Sequence, residues 1–147
     1  TKATIHSSIY KTKIKAINQK IKVSQLATPL LAPMIEEGFY TGNIANSVIE
    51  NYLNNPELEG IEALLLACTH YPLIKKDIEA FYHHKILVLD STDVVSKTVK
   101  DILEKENLLA QKPMDQDIFY VSDYTTSFEE SARMFYGNSI HLEAKTL

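Results

Sequence analysis

Cysteine occurs once in this sequence, at Cys68, and tryptophan does not occur at all. A single cysteine cannot form an internal disulfide, which favours a reducing compartment and predicts a cytoplasmic protein. Any role of Cys68 is therefore either thiol chemistry or plain packing. The sequence also contains no internal repeat, no low-complexity segment and no heptad run.

A large excess of charge of one sign is missing too. The formal net charge is -4 and the pI is about 5.7, so no basic footprint for nucleic acid is present and no nucleic-acid partner is expected. The lysines between Lys11 and Lys22 have the spacing of the solvated side of a helix.

Long hydrophobic runs are also missing. The longest, Ala63 to Cys68, is far too short to cross a bilayer, so no membrane partner is expected. Residues 1–20 are polar and lysine-rich, unlike a signal peptide. Because the first residue is Thr1, we expect a fragment or a processed chain.

What the sequence does contain is an alternation of helical and strand-like segments. Isoleucines from Ile5 to Ile21 have helical spacing, with Thr4 as a possible N-cap, and Lys22 to Leu26 alternates like a short strand. Prolines and glycines predict an irregular loop from Thr28 to Gly42. The remaining predicted helices are 44–53, 71–81, 94–109 and 128–136, and the remaining predicted strands are 61–67, 86–89, 117–122 and 139–142. This alternation predicts an α/β fold with mainly parallel pairing, and two of the strands, 61–67 and 86–89, look buried on both faces.

One short stretch, Ala67 to Pro72, combines groups that could carry chemistry where a strand ends and a helix begins. Ligands of open α/β sheets bind beyond the carboxyl ends of strands. A thiolate at Cys68 would be favoured near a helix N-terminus, Thr69 could donate to a carboxylate, and His70 could relay a proton. Taken alone, the pattern also fits a packed cysteine and a structural histidine, so both interpretations stay open.

The string Ala67-Cys-Thr-His-Tyr-Pro72 closely resembles the second cysteine motif of glutamate racemases, usually written Gly-Cys-Thr-His-Tyr-Pro. Ala67 is a mild departure from the usual glycine. Three further segments resemble the family in the same order: Thr1–Tyr10, Pro33–Gly38 and Asp90–Asp93. The resemblance therefore extends over nearly the whole chain.

The resemblance implies that the full enzyme interconverts L- and D-glutamate without a cofactor or metal, using two thiols as acid and base at the α-carbon. It assigns catalytic roles to Cys68, His70 and Glu36, and substrate binding to Thr69 and Cys68. It further implies a cytoplasmic homodimer that supplies D-glutamate for peptidoglycan synthesis.

The resemblance also predicts how the chain is divided. Residues 1–89 would form the second α/β domain of the enzyme, carrying the Cys-Thr-His motif on a parallel sheet with flanking helices. Residues 90–147 would return to complete a first, similar α/β domain whose N-terminal part is absent. The family's other cysteine motif, Cys-Asn-Thr, and its Asp-Ser-Gly loop belong to that N-terminal half, so this chain would carry half of an active site.

Other functions remain open at this stage. A related aspartate racemase would use the same paired thiols, although the Cys-Thr-His-Tyr-Pro string favours glutamate. A thiol hydrolase would use Cys68 as nucleophile and His70 as base. A non-catalytic α/β binding or oligomerisation module would explain a missing half, but not a Cys-Thr-His turn at a strand end.

Overall fold

The computed structural model describes residues 2–112 and 117–146, which form an α/β structure with parallel strands. The predicted fold class is thereby confirmed. The chain divides into two compact units, Thr1–Asp90 and Ser91–Leu147. The assignment of residues 90–147 to a domain shared with a missing half stays a prediction. The helices and strands are α1 Lys2–His6, α2 Ile9–Ile17, α3 Leu31–Glu36, α4 Gly42–Leu53, β1 Ala63–Leu65, α5 Lys75–Phe81, β2 Leu87–Leu89, α6 Thr92–Lys105, β3 Phe119–Val121, α7 Thr126–Tyr136 and β4 Leu142–Ala144, with 3-10 turns at Pro56–Leu58 and Tyr71–Ile74.

The first unit is built on one hydrophobic core between its helices and one face of a two-stranded sheet. Strands β1 and β2 pair in parallel, with Leu65 opposite Leu89, and α5 connects them. Burying an isoleucine or leucine side chain contributes roughly 1.5–3 kcal/mol, so this cluster holds the strand ends in place. The buried members are Leu31, Ile35, Ile49, Leu53, Leu58, Leu66, Ile74, Ile78 and Val88.

The prediction that both strands of this sheet are covered on both faces is wrong for the described chain. Val88 is buried, whereas its neighbours Leu87 and Leu89 are exposed, as is Leu65 on the paired strand. Successive side chains of a strand point to opposite faces, so one face meets the core and the other is an uncovered row of leucines. An apolar run predicts burial without saying which element provides it.

The predicted helix from Ile5 to Ile21 is interrupted and ends early, at Ile17. Ser8 has a φ of 51°, and the Ser7 hydroxyl donates to the carbonyl of Thr4, so local side-chain bonding replaces a continuous helix. Thr4 lies within α1 and does not cap it. Thr1, the first residue of the segment that resembles the family, lies outside the described residues.

Two predictions in the following segment are also wrong. Residues 22–26 form no strand. A segment of alternating polar and apolar residues becomes a strand only when a neighbouring strand pairs with it, and the described strands pair only with one another. The predicted loop from Thr28 to Gly42 contains helix α3. Pro33 is the third residue of that helix, where a backbone N–H would have no helical acceptor, so it fits without cost.

The second unit pairs β3 with β4 in parallel and connects them by α7. Thr125 caps α7 by accepting from the Phe128 N–H. The helix ends at Tyr136, directly before Gly137, whose φ is 98°, which confirms the predicted end at residue 136. The last strand begins at Leu142, later than predicted. Helix α6 begins at Thr92, two residues before the predicted start at Val94, so Thr92 and Asp93 lie in its first turn and Ser91 precedes it.

Tyr82 provides a test of the first unit's core. Its hydroxyl is buried and finds no hydrogen-bond partner among the described residues, and burial raises the pKa of Tyr82. Because the folded-state pKa lies above the unfolded one, stability is highest below the unfolded pKa, where the hydroxyl is neutral in both states, and it falls as the pH rises through the folded pKa, because burial disfavours the phenolate. We expect Tyr82→Phe to leave the free energy of unfolding unchanged or raise it by up to about 1 kcal/mol at neutral pH, and to lessen the loss of stability above pH ~10.

Urea unfolding at pH 7 and at pH ~10.5 would measure both effects. Tyr52→Phe is the matched control, because its hydroxyl accepts the Leu30 N–H at 3.2 Å. That variant should lose about 0.5–1.5 kcal/mol at neutral pH. Equal losses in the two variants would show that the Tyr82 hydroxyl has a partner after all.

Candidate active site

Cys68 lies beyond the carboxyl end of β1, as the sequence predicts. The strand ends at Leu65, and the thiol is half-buried in the segment that leads to the 3-10 turn Tyr71–Ile74. The N–H of Tyr71 donates to the carbonyl of Cys68 at 3.3 Å, so the backbone turns tightly around the thiol. The helix expected from Tyr71 onwards thus begins as a 3-10 turn and becomes α-helical only at Lys75.

The three predicted catalytic side chains come together. The Sγ atom of Cys68 lies 3.6 Å from Nδ1 of His70, and Nε2 of His70 lies 2.9 Å from Oε1 of Glu36. Glu36 is the last residue of α3, so the helix that the sequence analysis missed is the element that delivers this carboxylate. The exposed fraction is 27% for the His70 side chain and 54% for that of Glu36, so the carboxylate faces water while the imidazole is partly shielded.

This geometry determines which imidazole nitrogen faces the thiol as a base. An ionised carboxylate only accepts hydrogen bonds, so Nε2 of His70 carries the proton that Glu36 accepts. In the neutral ring with this tautomer, Nδ1 presents its lone pair towards Cys68, so the thiol can donate to it. Transfer of the thiol proton from Sγ of Cys68 to Nδ1 yields a thiolate beside an imidazolium that is paired with Glu36. The arrangement can therefore generate a thiolate and take its proton back.

A second link joins the same two segments. The hydroxyl of Tyr71 lies 2.6 Å from Oγ1 of Thr28, just before α3. Burial raises the pKa of Tyr71, the hydrogen bond with Thr28 opposes that shift, and the charge of Cys68 adds to it. The hydroxyl therefore stays protonated at neutral pH. The segment that carries Glu36 is thus fixed to the cysteine motif at Thr28 as well as at His70.

The predicted substrate-binding residue, Thr69, is exposed between Cys68 and His70. Of the backbone N–H groups that follow Cys68, that of Tyr71 is occupied by the carbonyl of Cys68. The roles of Thr69, Cys68, His70 and Glu36 toward a substrate stay predictions.

Sequence reasoning missed one ion pair beside the motif. Nζ of Lys75, the first residue of α5, lies 2.7 Å from Oδ2 of Asp90, the residue that follows β2. From the sequence, Asp90 is only the first residue of a segment that resembles the family. The pairing depends on the parallel register of β1 and β2, and no spacing rule within the sequence indicates it.

Two negative findings concern the described residues only. Across 2–112 and 117–146, no group of three or more His, Cys, Asp and Glu side chains is arranged to hold a metal ion. In the same ranges, no helix combines the length and the apolar character needed to cross a membrane.

Several known proteins similar to this chain are named glutamate racemase. No family model matches the chain. The glutamate racemase of Chlorobaculum parvum is 36% identical over 141 residues, which are 95% of this chain and 52% of that protein. The glutamate racemase of Persephonella marina is 36% identical over 143 residues, covering 97% of this chain and 52% of the relative. The chain thus spans about half the length of these relatives.

Solved structures agree in fold. The crystal structure of glutamate racemase from Francisella tularensis in complex with D-glutamate matches with a TM-score of 0.84 and 33% identity, over 99% of this chain and 55% of that one. A glutamate racemase isoform from Bacillus anthracis matches with a TM-score of 0.82 and 25% identity, over 98% of this chain and 54% of that one. The chain is therefore related to the glutamate racemases in both sequence and fold, and the extent of the match fits a C-terminal part of such a protein.

Proposed function

We propose that this chain supplies one of the two acid/base thiols of a cofactor-independent glutamate racemase. The observation that carries the proposal is the hydrogen-bonded series from Cys68 through His70 to Glu36 at the end of a parallel strand. It occurs in a chain that is 33% identical to a racemase solved with D-glutamate. A thiol placed against an oriented base is suited to exchanging a proton with a substrate carbon.

The proton transfers balance with two thiols and no other reactant. The thiolate of Cys68 takes the α-hydrogen of L-glutamate as a proton, and the electron pair of the broken C–H bond is delocalised into the substrate carboxylate. A second thiol, from the half that this chain lacks, then delivers a proton to the opposite face. Thr69 donates to the substrate carboxylate, and the His70–Glu36 pair exchanges the proton of Cys68 and compensates its charge.

The setting of this activity is part of the same proposal. The full-length enzyme is a cytoplasmic homodimer that supplies D-glutamate for peptidoglycan synthesis. Its first domain comprises the missing N-terminal half together with residues 90–147, and residues 1–89 form the second domain. The exposed leucines of β1 and β2, in this view, are covered by residues outside the chain.

Incubation of the full-length parent protein with L-glutamate, followed by polarimetry, tests the proposal. We expect optical rotation to decay towards zero with L-glutamate and to stay constant with L-aspartate. Decay with L-aspartate alone would instead make the protein an aspartate racemase. A stoichiometric burst with an activated ester, without racemisation, would favour a thiol hydrolase, and a folded protein that is inert in all three assays would be a non-catalytic module.

A further inference from the structure

The loop that carries the thiol is bonded at both of its ends to adjacent residues at the carboxyl end of β2. At its start, the N–H of Leu66 donates to the carbonyl of Leu89 at 2.8 Å. At its finish, Nζ of Lys75 lies 2.7 Å from Oδ2 of Asp90. The eight residues 67–74, with Cys68 and His70 among them, are therefore closed into a loop whose two ends meet at Leu89 and Asp90.

The bond at the far end of this loop is shielded from water. The side chain of Asp90 is 7% exposed and that of Lys75 is 28% exposed. By contrast, the Lys97–Asp101 pair on α6 is 77% and 55% exposed. Exposed pairs contribute little to stability because water screens them. In a shielded pair the two charges interact more strongly, and removing one partner is destabilising because the other charge stays behind. Loss of either partner would therefore leave a shielded charge uncompensated at the end of the loop.

The contact between Cys68 and His70 depends on that shape. At 3.6 Å, the distance from Sγ to Nδ1 is near the upper end for a hydrogen bond to sulfur. A displacement of about 1 Å is enough to remove such a contact and its chemical effect. The link from Glu36 orients the imidazole ring from the side of α3, but it does not fix the end of the loop at Lys75.

We infer that Lys75 and Asp90 form a positioning pair that sets the approach of His70 to the Cys68 thiol by closing the loop between β1 and α5. The inference deepens the proposed function, since it concerns the same thiol. Neither residue acts on the substrate. Their effect passes through the distance between Sγ and Nδ1.

Because Cys68 is the only cysteine, alkylation of the folded 147-residue chain by iodoacetamide measures this one thiol. His70→Asn should slow alkylation about tenfold in the otherwise native chain, which is within the range of coupling between contacting residues. In a Lys75→Met background, the same His70 substitution should slow it less than about twofold, because the contact is already lost. Alkylation rates of the four chains form a double-mutant cycle.

Controls separate positioning from general stability. Lys75→Arg keeps the charge and should retain most of the His70 effect, and Lys97→Met removes an exposed pair on α6 and should retain all of it. Asp90→Glu keeps the charge but displaces the carboxylate by one methylene, so it provides a folded test if Lys75→Met unfolds the chain. Urea unfolding of each variant confirms that the folded state is assayed.

An unchanged His70 effect in folded Lys75→Met or Asp90→Glu would overturn the inference, as would equal alkylation with and without His70 in the native background. The outcome is independent of racemisation. A parent protein that does not racemise glutamate, combined with an intact double-mutant cycle, would refute the proposed function and leave the positioning pair standing.

Discussion

Replacement of Cys68 by serine in the full-length parent protein is expected to lower the rate of glutamate racemisation by roughly 10²- to 10⁴-fold, the range that a positioned acid/base group contributes. A serine hydroxyl is only slightly smaller than a thiol, so the substitution disturbs the local packing little. It is a far weaker acid than a thiol, so it supplies almost no anionic base at neutral pH. Racemisation measured by polarimetry from either enantiomer would show the loss.

Isotope exchange tests which face of the α-carbon Cys68 serves. The proposal gives Cys68 the L face of the α-carbon and gives the thiol of the missing half the D face. In deuterated water, Cys68→Ser should therefore lose exchange of the α-hydrogen of L-glutamate more severely than that of D-glutamate. Equal loss from both enantiomers would leave the thiol essential but contradict the face assignment.

A matched control addresses the local backbone. Ala67→Gly restores the residue that is usual in the family at the position before the thiol and removes no reacting group. We expect it to keep racemisation close to that of the parent. If Cys68→Ser also kept near-native activity while urea unfolding showed no change, Cys68 would be a packed cysteine and the proposed mechanism would fail.

The position of the thiol was predictable from local pattern, whereas its partners were less so. An apolar strand followed by Cys-Thr-His is enough to place Cys68 and His70 at a strand end. Glu36 is remote in the sequence, and its assignment depended on the resemblance of Pro33–Gly38 to a family loop. The structure brings Glu36 within 2.9 Å of His70 by a helix that the prolines and glycines of its sequence had concealed.

Burial and long-range pairing were the features that the sequence could not specify. Hydrophobicity predicted that Leu65 and Leu87 are buried, but in the described chain they lie on the uncovered face of their sheet. The Lys75–Asp90 pair follows from the parallel register that aligns the ends of β1 and β2. Both features depend on which other chain segments pack nearby. The periodicity of one segment carries no information about those neighbours.

The 147-residue chain alone is expected to show no measurable racemisation of glutamate. Moving a proton from one face of the α-carbon and returning one to the other requires two acid/base groups, and Cys68 is the only thiol in the chain. The loss should exceed that of any single substitution, because the absent half would also supply part of the substrate pocket. Polarimetry at high protein concentration, with contaminating enzyme excluded, would measure it.

Addition of a separately produced N-terminal half should restore part of the activity. The uncovered leucines Leu65, Leu87 and Leu89 offer apolar surface that is otherwise free for self-association, so light scattering should show smaller species after the halves combine. A half carrying Leu87→Lys provides the control, because a charge on that face should weaken the association without touching Cys68. Turnover by the 147-residue chain alone would contradict the requirement for two thiols, since a single base would then serve both faces.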